Sequence, residues 1–80
     1  MKNVPWQIEK IIEVANQLQC SGSTPASTGE RIAAAFVLNK PQYLPQGYTD
    51  IVEAWDRLDD QWQAYVRLIK RDYMVEIVEE

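Results

Sequence analysis

The stretch DIVEAWDRLDDQWQAYVRLI, residues 50–69, decides the fold. Ile51, Trp55, Leu58, Trp62, Tyr65 and Ile69 recur in steps of four and three, the spacing that lines up side chains along one seam of a helix. Asp50 stands where a cap belongs, and Asp50-Ile51-Val52-Glu53 has the form of a capping box with an acidic cap. The expectation is one long helix from Asp50 toward the C-terminus. Asp72 takes the place of the next apolar residue and Tyr73 and Ile77 follow, so the seam drifts there. Asp59 offers an alternative cap for a separate helix beginning at Asp60, but no Gly or Pro forces a break, and continuity is the expectation.

Working outward, Pro45, Gly47 and Pro41 keep residues 41–48 from being helical throughout. This connection carries Tyr43, Leu44 and Tyr48. The tyrosines are expected to tuck against the helices, with a partner-binding surface as the alternative, since tyrosine is enriched at binding hot spots. Before it, Ser27-Thr28-Gly29-Glu30 is a capping box, in which Ser27 and Glu30 each satisfy the other's backbone N–H. Arg31 to Asn39 follows, and Ala33, Ala34 and Ala35 let a neighbouring backbone come close, which suits a short helix buried in the middle of a bundle. The first helix is expected to start near Asn3 to Pro5, with Asn3 capping and Pro5 in the first turn. Ile8, Ile11, Ile12, Ala15 and Leu18 form its inward stripe, and Gly22 ends it.

Eighty residues allow one helical domain spanning 1–80. Three Trp, four Tyr and one Phe enlarge a small core, and a hydrophobic fraction of 46% is that of a folded domain. The net charge of −4 disfavours non-specific binding to nucleic acid and suits docking on a basic surface. Cys20 is the single cysteine, so no internal disulfide forms, and the expectation is a half-buried thiol at a helix end. The absence of His removes His-based catalysis and His-ligated zinc. No signal pattern and no membrane-length apolar run is present, which places the chain in the cytoplasm as an expectation.

Glu53, Asp56 and Asp60 fall at i, i+3 and i+7 of the expected helix, with Asp59 beside them. Such a row is most simply a solvated face. Its functional reading is docking on a basic protein surface, because carboxylates three or four apart on a helix imitate the spacing of phosphates. Metal binding and acid–base catalysis are disfavoured: the row lacks convergent ligands, an EF-hand glycine and a pocket to separate two pKa values. No cofactor is expected. Arg67, Lys70 and Arg71 form a small basic cluster that complements the negative end of the helix dipole. The stripe Trp55, Trp62, Tyr65 is expected to be core, with any uncovered remainder available for homodimerisation.

The segment from Ile51 to Leu58 and from Trp62 to Ile69 resembles the opening of some phage antitermination proteins, where such a helix precedes a DNA-reading helix-turn-helix. No recognition helix follows within these residues, and no functional residue carries over. In format, as a short, acidic, single-domain chain without a catalytic set, the protein resembles small phage and mobile-element inhibitors of the anti-CRISPR type. That resemblance implies a chain that occupies a basic surface of a larger host nucleoprotein. The combined expectation is an all-α, small irregular three-helix bundle with a long C-terminal helix. Its function would be non-enzymatic protein binding through Glu53, Asp56, Asp59 and Asp60, with Tyr43 and Tyr48 as further contacts. The alternative is a transcription-associated regulator touching RNA polymerase or DNA through Arg67, Lys70 and Arg71.

Overall fold

A computed structural model describes residues 4–78. The fold is all-α, and among the described residues there is no strand. Helix α1 runs Trp6–Ser21, α2 Thr28–Leu38, α3 Ile51–Arg57 and α4 Asp60–Leu68. A π turn, Ile69–Tyr73, and a 3-10 turn, Met74–Glu76, carry the helical path onward from α4, so the C-terminal helical run extends from Asp60 to Glu76. A short 3-10 turn, Pro41–Tyr43, interrupts the connection between α2 and α3.

The inward stripe of α1 is as its spacing implies: Ile8, Ile11, Ile12, Ala15 and Leu18 are buried, and Val14 widens the face. Pro5 occupies the cap position rather than the first turn. It offers no side-chain bond, and its carbonyl accepts from the Ile8 N–H at 3.0 Å. The expected cap Asn3 lies outside the described residues. Gly22 closes α1 in the left-handed region at φ 78°, where a residue with a Cβ is strained.

Helix α2 is the central element, packed on α1 and on α4. Its capping box is fully formed, with Ser27 Oγ accepting from Glu30 N at 3.3 Å and Glu30 Oε1 accepting from Ser27 N at 3.2 Å. Asn39, at φ 57°, ends it. Ala33 and Ala34 are fully buried, and Ile32 and Val37 join them in one core with the α1 stripe. Small side chains at the centre let the flanking helices approach α2 closely.

The third helix is not continuous. Leu58 is extended at φ −80° and ψ 140°, which ends α3, and Asp59 caps a new helix by accepting from Trp62 N at 2.8 Å. Neither glycine nor proline is needed, because an aspartate side chain supplies the backbone with an alternative partner at the point of the break. The seam survives the interruption: Leu58 and Ile69 are buried, and Trp55, Trp62 and Tyr65 are half-buried against the core. Ile51 alone departs from it, at 49% exposed. Trp55 meets Phe36 of α2 edge to face, with ring centroids 5.0 Å apart.

Candidate functional site

The break in the third helix makes an elbow, and the elbow carries the acidic residues. Asp50 caps α3, its Oδ1 accepting from Val52 N at 2.9 Å and Glu53 N at 3.3 Å. This cap is one-sided, since among the described contacts the Glu53 side chain does not reach back to Asp50. Glu53 and Asp56 lie three apart on α3. Asp59 and Asp60 belong to the start of α4, so the expected row on a single uninterrupted helix face is instead divided between two helices. The Asp59 carboxylate is engaged in capping, while Asp60 sits in the first turn of α4, where the helix dipole favours negative charge.

Two braces hold the elbow. Gln63 Nε2 donates to the Leu58 carbonyl at 3.3 Å and to the Trp55 carbonyl at 2.9 Å, the latter already accepting from the Leu58 N–H at 3.1 Å. The Arg67 guanidinium stands over the Trp55 ring at 5.3 Å from its centroid.

Charge is unevenly satisfied across the molecule. Among the described residues, Glu53, Asp56 and Asp60 are exposed and carry no ion pair. Among the described residues, the cations away from the elbow are engaged within the chain. Lys10 pairs with Glu13, Arg31 donates to the Tyr43 carbonyl, Lys40 donates to Gln19, Lys70 donates to the Phe36 carbonyl, and Arg71 pairs with Asp72. The basic cluster Arg67, Lys70 and Arg71 is therefore largely bound up in structural contacts. Arg57 stands exposed at the elbow itself.

Beside the acids, α3 shows water two apolar side chains, Ile51 at 49% and Val52 at 64% exposed, and buries only Ala54. A cleft lined by Phe36, Pro41, Leu44 and Ile51 has room for about 10 Å³, near the space of a single water, so it accommodates no small-molecule substrate. Among the described residues no group of acidic or thiol side chains is arranged to hold a metal ion.

Tyr43 and Tyr48 are half-buried and pack against the core. Tyr43 also receives Lys40 Nζ at 5.9 Å from its ring centroid. Cys20 is at a helix end as expected, but exposed rather than half-buried. No helix of the described residues is long and apolar enough to cross a membrane.

Comparison with protein-family models, with curated proteins and with solved structures gives no match.

Proposed function

We propose that this chain is a non-catalytic protein-binding domain, an inhibitor or adaptor of the small phage-protein kind. In this reading its acidic elbow docks on a basic surface of a larger nucleoprotein complex. The observation that carries the reading is the unpaired state of Glu53, Asp56 and Asp60 on a braced elbow, next to the exposed Ile51 and Val52. Exposed acids together with an exposed apolar pair suit a partner whose lysines and arginines lie beside an apolar patch. The charges steer the encounter and fix register, and the apolar pair adds desolvation energy.

The test is comparative capture from the native host. Wild type, the charge reversal E53K/D56K/D60K and a control reversal E9K on α1 are used as baits, and retained proteins are read by mass spectrometry. The expected result is a nucleic-acid-binding complex held by wild type and by E9K, released by added nucleic acid, and lost with the triple variant. Retention by the triple variant with an unchanged circular dichroism spectrum would rule the elbow out.

A further inference from the structure

Asn16 and Gln19 lie about one turn apart on α1, and both aim their amides at the backbone of residues 76–78. Asn16 Nδ2 donates to the Glu76 carbonyl at 3.1 Å, and Asn16 Oδ1 accepts from the Val78 N–H at 2.7 Å. Gln19 Nε2 donates to the Val78 carbonyl at 3.0 Å. The Gln19 oxygen accepts from Lys40 Nζ at 2.7 Å, which leaves its NH₂ end facing the segment. Between these bonds Ile77 is extended, at φ −94° and ψ 129°, and buries its side chain in the core to 9% exposure.

Asn16 thus does for the segment what a neighbouring β-strand does: it takes the carbonyl of one residue and the N–H of the residue two further on. Three backbone groups and one aliphatic pocket are the elements by which extended peptides are recognised. The contact reads only one side chain, Ile77. Val75 and Val78 stay exposed, at 87% and 45%. The segment reaches the site through a π turn and a 3-10 turn rather than through unbroken α-helix.

We infer that the Asn16–Gln19 face of α1 is a receptor for an extended segment centred on a branched aliphatic residue. Residues 76–78 of the same chain fill it here, and the same segment of a second copy fits it equally. Bonds to backbone groups do not distinguish a segment delivered in cis from one delivered in trans, and exchange of an identical element is a low-cost route to a dimer. The covalent connection gives the cis segment a high effective concentration, so the trans segment binds when the cis one lets go.

The probe is a fluorescein-labelled peptide with the sequence of residues 73–80, titrated against the full chain by anisotropy. Val78→Pro removes the N–H that Asn16 accepts from while leaving Ile77 in place, and proline suits an extended residue before it. V78P is expected to bind the peptide roughly tenfold more tightly than wild type, because a larger fraction of its sites is open. Asn16→Ala added to V78P is expected to weaken peptide binding about fivefold. Equal affinity of wild type and V78P, or binding indifferent to Asn16→Ala, overturns the inference. If V78P lacks the wild-type circular dichroism spectrum, the wild-type chain decides. Its Asn16 and Gln19 side-chain amide resonances shift on adding peptide, and resonances unmoved at about 1 mM peptide overturn the inference.

Discussion

Gln63 Nε2 lies 2.9 Å from the carbonyl oxygen of Trp55, so a side chain from inside α4 closes the open end of α3. The same amide reaches the Leu58 carbonyl at 3.3 Å. One residue thereby holds both sides of the break. Gln63→Ala is expected to cost about 1 kcal/mol, since the Leu58 carbonyl loses its partner while the Trp55 carbonyl keeps the Leu58 N–H. Gln63→Glu is expected to cost more at neutral pH, since a carboxylate then faces two carbonyl oxygens, and to recover on acidification as the protonated carboxyl donates. Urea unfolding of the three proteins at neutral and acid pH checks the order.

The bond between Asn16 and Val78 joins residues 62 apart in the chain. Asn16→Ala removes two exposed hydrogen bonds and is expected to lower stability by about 1 kcal/mol, with the urea m-value little changed. In hydrogen exchange the Val78 amide loses protection while the amides in the middle of α2 keep theirs.

Asp59 is the residue that makes two helices out of one. Asp59→Ala is expected to cost about 1 kcal/mol, and Asp59→Asn much less, because the amide oxygen still accepts from Trp62 N. Thermal melts followed by circular dichroism separate the two substitutions.

Ala34 is fully buried in α2, the helix packed on both α1 and α4. Ala34→Leu is expected to destabilise by about 1–3 kcal/mol through overpacking. Ala64, exposed on α4, accepts the same change with little effect. Chemical denaturation of the pair measures the contrast.

Asp72 accepts two bonds from the Arg71 guanidinium, at 3.0 and 2.8 Å. The hydrogen bonding, together with the positive charge, holds its carboxyl below the ordinary carboxylate range. A lowered folded-state pKa means that the pair's contribution is present above the unfolded-state value. It is lost as pH falls through the folded one. Both side chains are exposed, so the contribution is small. Carboxyl titration by NMR is expected to place the Asp72 midpoint below the ordinary aspartate value, and Arg71→Gln to raise it back toward that value.

Local signals in the sequence carried the elements whose partners are near in the chain. Ser27 and Glu30 announce their capping box, Gly22 its helix end, and the isoleucines of α1 their inward face, because each depends on contacts within a few residues. The elbow was harder to read. The steps from Ile51 to Ile69 match an unbroken helix, and they stay inward across the break because Leu58 and Trp62 both still find the core. The signal that could have shown it is Asp59 with Gln63 four residues later, a cap paired with a long amide able to reach back. The grip of Asn16 and Gln19 on residues 76–78 left no such trace, since it joins polar groups 59 to 62 positions apart. The acidic residues were legible as a cluster. Their division between two helices became visible only with the elbow.

The π turn at Ile69–Tyr73 sets the phase of everything beyond it. A turn of this kind holds one more residue than an α turn, and the surplus lets Ile69 and Ile77 both reach the interior. Shortening that turn by a single residue would rotate the remaining chain by about 100°, swinging Ile77 out to water. Lineages of this chain are therefore expected to vary freely in length between Gly22 and Ser27, while tolerating no insertion or deletion between Ile69 and Ile77.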